Sequence, residues 1–221
     1  MIPARVGSKR VKNKVFREIA GKPLIQYAID VAKQVKGIDE IYINSPDEIF
    51  KPIAEKNNIK FFKRPFKEKE KEMGDDFVYE FCKFTDADYI IMVNSVAPCI
   101  TREDVEGAVA AAVNTDADTL HSVERDQIEV FYMGEPLNFD KLDKSRESQT
   151  LNPIERLTFG IVIWKRDIFI RNYKLGAGAW YGYPYGHAVR YQLHFPSTVD
   201  IDTEDDLALA EAIIRSKPEN I

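Results

Sequence analysis

Short apolar segments alternate with stretches of helical periodicity along most of this chain, and this alternation constrains its fold more than any other feature. The run ADYIIMVN (87–94) is largely apolar, as expected for a strand that is buried on both faces. The segment PLIQYAIDVAK (23–33) instead has helical spacing, with a proline in its first turn, where the missing N–H does no harm. Strands and helices in alternation predict an α/β fold whose parallel or mostly parallel sheet is covered by helices on both faces.

The same patterns predict the bounds of the other elements. Strands are predicted at 1–3, where the first strand is unusually short, and at 38–44, 59–62, 87–94, 117–124, 157–165 and 189–195. Helices are predicted at 23–33, 47–56, 75–83, from Thr101 onwards and at 203–214. Thr101 and Thr203 each precede an acid by three residues, as in a capping box. Two segments break the rhythm, a polar one at about 125–156 and an aromatic, glycine-rich one at about 176–187. We therefore expect a single domain over residues 1–221 with two irregular inserts.

The overall charge and composition exclude some classes of function. The chain has 31 Lys and Arg against 36 Asp and Glu, a formal net charge of -5, whereas a nucleic-acid-binding domain usually has a basic excess. Its apolar runs fall short of the roughly 20 residues of a membrane helix, and its basic start lacks the apolar stretch of a signal peptide. The two cysteines and three histidines show no metal-ligand spacing. We expect a cytoplasmic protein that binds neither nucleic acid nor a membrane.

A local cluster of positive charge lies near the start of this acidic chain. The segment ARVGSKRVKNK (4–14) contains Arg5, Lys9, Arg10, Lys12 and Lys14 and no acid. It follows the first predicted strand, and ligands of α/β sheets bind at the carboxyl ends of strands. Gly7 allows backbone amides to approach an anion closely, and Ser8 adds a hydroxyl donor. Arg10 and Lys12 are expected to face solvent. The cluster predicts a polyphosphate site, although neither the P-loop nor the dinucleotide-binding glycine motif is present.

Two carboxylates near the end of the chain suggest a metal site. In VDIDTEDD (199–206), Asp200 and Asp202 are two residues apart in an extended segment, which places their side chains on one side. Such a pair suits a hard divalent cation that neutralises phosphate oxygens. A purely structural role for this pair is the alternative. The residues from Thr203 to Asp206 are expected only to cap the following helix.

Three separated motifs together resemble one enzyme family. They are similar, in the same order, to motifs of the acylneuraminate cytidylyltransferases, also called CMP-sialic acid synthetases. The three motifs are IPARVGSKR with Lys14 and AGKPLIQYAID, then KRPF (63–66), then VDIDTEDDL. The resemblance runs from residue 2 to about 215 and identifies the chain as a divergent member. It implies a three-layer α/β/α fold of the nucleotide-diphospho-sugar transferase type, with a mixed seven-stranded sheet and a small protruding region that forms a homodimer.

The resemblance also implies roles for individual residues. Arg5, Lys9 and Lys14 would be catalytic, with Lys14 balancing charge at the α-phosphate of CTP. The implied nucleotide-binding residues are Ala4, Arg5, Gly7, Ser8, Lys9, Lys14, Arg64 and Asn94. Asp200 and Asp202 would hold Mg²⁺.

The chain departs from the family pattern at several positions. Val15 follows Lys14 where the family commonly has asparagine, and Ile100 in NSVAPCI (94–100) replaces an arginine. Gly74 and Asp75 replace hydroxyl residues. The phosphate and metal positions are kept, so the departures concern the acceptor. Tyr181, Tyr183 and Tyr185 alternate and are candidates for either an acceptor pocket or a dimer interface.

The function implied is CTP-dependent transfer of CMP to a small acidic acceptor, a nonulosonic acid of sialic, legionaminic or pseudaminic type, with release of pyrophosphate, for surface glycan or capsule biosynthesis. A second hypothesis is a cytidylyltransferase that acts on a phosphorylated small metabolite and gives a CDP-linked product. A third is a nucleotide-binding protein without catalysis. A sugar-1-phosphate transferase that uses UTP or GTP ranks below these, because a longer glycine-rich opening is typical of such enzymes.

Overall fold

A computed structural model describes residues 1–65, 74–140, 142, 147–182 and 186–216. Its strands are β1 (Ile2–Pro3), β2 (Glu18–Ile19), β3 (Lys22–Pro23), β4 (Tyr42–Ser45), β5 (Lys60–Lys63), β6 (Tyr89–Val93), β7 (Thr119–Asp126), β8 (Phe131–Tyr132), β9 (Glu135–Pro136), β10 (Ile154–Lys165) and β11 (Ala188–Gln192). Its α-helices are α1 (Leu24–Gln34), α2 (Lys51–Lys56), α3 (Gly74–Phe84), α4 (Arg102–Asn114), α5 (Arg166–Lys174) and α6 (Glu204–Ser216).

The central sheet has two parts that meet at β1. One part is parallel, in the order β1-β4-β5, and the other has the order β11-β7-β10-β6. The amide of Val93 donates to the Met1 carbonyl at 3.1 Å, and the Met1 ammonium donates to the Ile91 carbonyl at 2.7 Å. These bonds join the parts into one mixed sheet, β5-β4-β1-β6-β10-β7-β11. Strand β10 is antiparallel to both its neighbours. The described residues between β7 and β10 contain the hairpin β8–β9 and a short 3-10 turn, but no α-helix that would return the chain for parallel pairing.

Helices cover both faces of this sheet, as the alternation of segments predicts. On one face α1 and α4 bury Ile25, Ile29 and Val105 in the largest core cluster. On the other face α3 and α5 bury Phe81 and Phe169 against Trp164 of β10. The predicted three-layer α/β/α fold is therefore confirmed. Among the described residues, no helix is long and apolar enough to cross a membrane.

Most predicted elements are present, with shifted ends. The last strand stops at Gln192 rather than at residue 195, because the Ser197 amide closes a turn onto the His194 carbonyl at 2.8 Å. The polar insert is shorter than 125–156, since β7 and β10 extend into it and the hairpin β8–β9 lies inside it. Helix α5 and the hairpin β2–β3 were not predicted, because both are short and α5 is highly charged. Tyr183, Tyr185 and the charged run 67–72 lie outside the described residues.

Candidate active site

A cleft of about 640 Å³ opens where β1, β5 and β6 end. Every residue predicted to bind the nucleotide lines it: Ala4, Arg5, Gly7, Ser8, Lys9, Lys14, Arg64 and Asn94. The fold brings them together because β1, β5 and β6 all end at one edge of the sheet. The predicted strand-end ligand site is therefore a real concavity.

The cleft is positively charged. Its described lining includes the cations Arg5, Lys9, Arg10, Lys14 and Arg64, and none of the described lining residues is acidic. A concave surface lined by charge of one sign concentrates ligands of the opposite sign. The cleft therefore suits a polyanion.

A second cavity, of about 560 Å³, lies at the opposite edge of the sheet and has the reverse charge. Asp39, Glu40, Asp86 and Asp88 line it, together with apolar residues and no lysine or arginine among the described residues. Four carboxylates would repel a nucleotide. The first cavity is thus the candidate active site.

The cationic loop is held in shape by its own hydrogen bonds. Gly7 has a φ of 79°, in the region that favours glycine. The Ser8 hydroxyl donates to the Val11 carbonyl at 2.5 Å and accepts from the Lys14 amide at 2.9 Å. The Val6 amide donates to Asp47 at 2.8 Å. The Ser8 proton is therefore used within the loop rather than directed at a ligand, and Ser8 fixes the turn that carries Lys14.

Lys14 lies where the cationic loop meets the acidic segment. Its side chain is only 12% exposed, and its ammonium donates to the Ile201 carbonyl and, at 3.0 Å, to Asp202. The Arg10 guanidinium donates to the same Asp202 oxygen at 2.7 Å. Arg10 was expected only to face solvent; it is largely exposed but also pairs with Asp202 and lines the cleft.

Asp200 is a buried carboxylate with an unused oxygen. Its Oδ1 is buried and has no hydrogen-bond partner among the described residues. Burial, together with the neighbouring negative charge of Asp202, raises the pKa of Asp200 to about 6. A buried oxygen of this kind is the donor that a hard cation prefers.

The donor set fits a cation that also binds phosphate. Within the described part of the chain, no three His, Cys, Asp or Glu side chains converge on a common point. Mg²⁺ commonly binds one or two protein carboxylates and completes its shell with water and substrate phosphates. Asp200 and Asp202 match that pattern. Asp206 instead accepts from the amides of Asp202 and Thr203 at 3.0 and 2.8 Å, the predicted cap of α6.

Arg64 and Asn94 stand on either side of the end of β1. Arg64 is 4% exposed, donates to the Asn44 carbonyl at 3.1 Å, and lies 4.9 Å from the ring centre of Phe77. The Asn94 amide group donates to the Phe159 carbonyl at 3.4 Å. Both side chains are thus held by the protein at the floor of the cleft.

An aromatic wall, formed by Phe77, Phe159 and Trp180, completes the cleft. The ring centre of Trp180 is 5.7 Å from that of Phe77 and 6.1 Å from that of Phe159. Sequence reasoning missed all three residues, although it marked the segment 176–187 that contains Trp180. The aromatic and glycine-rich composition of that segment is the signal that points to Trp180.

Two departures from the family pattern have structural explanations. Ile100 is 4% exposed and packs in the core, where its Cδ1 would lie 2.7 Å from a Cβ at Gly160. Asp75 accepts from the amides of Ala179 and Trp180 at 3.1 and 3.0 Å. Ile100 therefore belongs to the core, and Asp75 supports the aromatic wall.

The fold and the site together define a nucleotidyltransferase-like protein. A cationic loop follows the first strand of the α/β sheet, and a carboxylate pair lies beside that loop. The chain belongs to the cytidylyltransferase family, whose profile matches residues 1–215.

Curated relatives include 3-deoxy-manno-octulosonate cytidylyltransferase 2 of Hydrogenovibrio crunogenus, 29% identical over 120 residues, which are 53% of this chain and 47% of the relative. The 3-deoxy-manno-octulosonate cytidylyltransferase of Escherichia coli is 34% identical over 107 residues, 48% of this chain and 42% of the relative. The chain thus matches about half the length of these relatives. Their names specify an octulosonate, whereas the motifs resemble those of acylneuraminate enzymes.

The fold is also similar to a solved structure, that of CMP:2-keto-3-deoxy-manno-octonic acid synthetase complexed with CTP. The TM-score is 0.69 at 20% identity, over 97% of this chain and 96% of the other. At that identity the likeness supports the fold.

Proposed function

We propose that this protein transfers CMP from CTP to the anomeric hydroxyl of a 2-keto-3-deoxy sugar acid, an octulosonic or nonulosonic acid, and releases pyrophosphate. The observation that carries the proposal is the contact of Lys14, which lines the cleft, with Asp202 of the Asp200–Asp202 pair; the described lining of that cleft includes five cations. The family and the names of the relatives support CTP and a sugar acid. The product would supply surface glycan biosynthesis.

The reaction forms one bond and breaks one bond at the α-phosphorus. The acceptor oxygen attacks, loses its proton to the medium, and the bond from the α-phosphorus to the bridging oxygen breaks, so that pyrophosphate leaves. Charge builds up on the phosphate oxygens, and positioned cations provide most of the catalysis in such transfers. Lys14, Arg5 and Lys9 are the cations proposed for this role. Asp200 and Asp202 would hold Mg²⁺, which supplies further neutralisation of phosphate charge when bound.

The nucleoside end of CTP is assigned to the side of the cleft that contains Arg64. Asn94, on the other side of the end of β1, would contact the nucleotide from the floor of the cleft. Arg64 is fixed by Asn44 and by its contact with Phe77, so its position costs little entropy on binding. Ala4 and Gly7, at the start of the loop, line the same cleft beside the cations.

The test has a binding stage and a product stage. Thermal-shift titration with CTP, UTP, ATP and GTP, each with and without Mg²⁺, should give a large Mg²⁺-dependent rise in Tm for CTP alone; a ligand at 100 times its Kd stabilises by about 2.7 kcal/mol. Incubation with CTP and either 3-deoxy-manno-octulosonate or N-acetylneuraminate should then release pyrophosphate. The product should show a single phosphorus resonance in NMR.

Each other outcome has a defined meaning. A coupled pair of resonances from a phosphorylated acceptor would identify a CDP-linked product, the second hypothesis, which is motivated by Ile100 in place of the family's arginine. CTP binding without pyrophosphate release under any acceptor would identify a binding protein. Preference for another nucleotide would refute the proposal.

We also propose that the protein is a cytoplasmic homodimer that pairs through its hairpin β8–β9. This hairpin exposes several large apolar side chains, and Met133 at its turn is 88% exposed. Clustered exposed apolar residues are typical of interaction surfaces. The two cysteines are free and buried, which fits a reducing compartment.

A further inference from the structure

We propose that Trp180 and Phe159 form a platform against which the acceptor's sugar ring lies, so that its apolar face is recognised as well as its charge. This inference rests on the proposed function and names the part of the cleft that receives the acceptor. Both side chains line the cleft and are partly exposed.

The order of the strands places the platform on the acceptor's side. Arg64 follows β5, two strands from β1 in one direction, and Phe159 lies on β10, two strands from β1 in the other. The cationic loop leaves β1 between them. With the nucleoside at Arg64 and the triphosphate along the loop, the free side of the cleft is the β10 side. In-line transfer also requires the acceptor to approach the phosphorus opposite the leaving group.

The backbone of Phe159 has a strained conformation that leaves its ring at the cleft. Phe159 has a φ of 51°, a region that bulky residues rarely adopt, and it lies in a bulge between Leu157 and Val162 of β10. This conformation leaves the ring at the cleft and the carbonyl available to the Asn94 amide group at 3.4 Å. Strained residues held by their surroundings are concentrated at ligand sites.

Trp180 is held by three independent contacts. The Trp180 amide donates a hydrogen bond to Asp75 at 3.0 Å. The indole N–H of the buried Trp164 donates to the Trp180 carbonyl at 2.9 Å. A Cβ at Gly74 would lie 2.9 Å from the Trp180 indole, so the absence of a side chain there gives the ring its place. Burial raises the pKa of Asp75, while the two amides that it accepts act in the opposite direction. The indole is thus fixed before any ligand binds.

The chemistry of the platform indicates the class of acceptor. The face of an aromatic ring carries partial negative charge and attracts the polarised C–H groups of an apolar surface. A cyclic sugar acid with a deoxy methylene presents such a surface on one side, while its carboxylate can face the cations across the cleft. Ligand sites commonly combine an apolar wall with a few placed polar groups. An extended, phosphorylated chain would leave this wall unused.

The test separates acceptor binding from CTP binding. Trp180→Leu should raise the KM for the accepted sugar acid by about three- to tenfold and leave the KM for CTP unchanged. Trp180→Tyr should restore most of the loss, because it returns an aromatic face. Phe84→Leu, at the far end of α3 and outside the cleft lining, should change neither KM.

A binding measurement separates failure of this inference from failure of the proposed function. The chain has two tryptophans, and Trp164 is fully buried, so a ligand at the platform should alter the emission of Trp180. Sugar acid added to the wild-type protein with CTP and EDTA should change the fluorescence, and the change should be absent in Trp180→Tyr. Three outcomes would overturn the inference. They are a rise in the KM for CTP alone, no change in either KM, and fluorescence that responds to CTP but to neither sugar acid. Wild-type protein that binds a sugar acid at Trp180 without forming product would refute the proposed transfer but retain the platform.

Discussion

Replacing Asp200 by asparagine should stabilise the metal-free protein. The pKa of Asp200 rises from 3.8 to about 6 on folding, because its carboxylate is buried and lies beside Asp202. At about 1.36 kcal/mol per pH unit, the ionised side chain costs about 3 kcal/mol of folding free energy at neutral pH. A protein of this size gains about 2–4 °C in Tm per kcal/mol, so Asp200→Asn has an upper bound of about 6–12 °C.

The size of the effect depends on pH in a way that can be measured. A carboxyl whose pKa is raised by folding destabilises the protein only where it is ionised, so the cost disappears as the pH falls from about 6 towards 4. Thermal unfolding of the wild-type protein and Asp200→Asn in EDTA should therefore show a Tm difference at neutral pH that shrinks at low pH. Adding CTP and Mg²⁺ should reverse the order, since only the wild-type protein keeps both proposed ligands.

The control is Asp205→Asn, which removes the same charge from an exposed position in the first turn of α6. It should lower the Tm slightly by weakening the helix terminus, and it should keep the response to Mg²⁺. If Asp200→Asn and Asp205→Asn behave alike in EDTA, or if Asp200→Asn lowers the Tm at neutral pH, the account of a carboxylate destabilised by burial and by Asp202 is refuted.

The cationic loop and the hairpin give two further predictions. Lys14→Ala should reduce kcat at least about a hundredfold, in the range found for a lost transition-state donor, while its circular dichroism stays normal. The control Lys12→Ala, on the exposed side of the loop, should remain active. An active Lys14→Ala enzyme would contradict the assignment. Met133→Glu should convert the proposed dimer to a monomer, measured as the molar mass in light scattering, whereas Leu209→Glu on α6 should not. The same mass for both variants and the wild-type protein would contradict the hairpin interface.

The layered fold could be predicted because local sequence patterns determine it. Continuous apolar runs such as 87–94 gave buried strands, and the threonine–acid pairs at Thr101 and Thr203 marked where α4 and α6 begin. The antiparallel direction of β10 could not be predicted, since it depends on the course of the polar insert before it. Direction of pairing is a property of the connection, and the connection had no periodicity.

The candidate site was predictable where its residues are close in sequence or adjacent at strand ends. Gly7, Lys14, Arg64 and Asn94 follow strands that share an edge, so the topology alone brings them to one cleft. The Ser8 hydroxyl could not be assigned in advance, because its bonds to Val11 and Lys14 depend on the conformation of the loop.

Partnerships across long sequence separations were not predictable. Arg10 and Asp202 are 192 residues apart, and Trp180 depends on Asp75, 105 residues away. No periodic pattern records such contacts. They arise only when the chain folds and two irregular segments meet, and irregular segments are where binding residues concentrate.

The ion pairs of Asp202 bear on how CTP and Mg²⁺ would bind. Asp202 is paired with Lys14 and Arg10, while Asp200 is buried with an unused oxygen. A cation bound between the carboxylates would replace these pairs, relieve the cost at Asp200 and release Lys14 and Arg10 towards phosphate. The triphosphate, in turn, would draw the same two side chains away from Asp202 and expose it to the cation. Because each ligand would remove a contact that opposes the other, we expect their binding free energies to be coupled, and by linkage that coupling would be reciprocal.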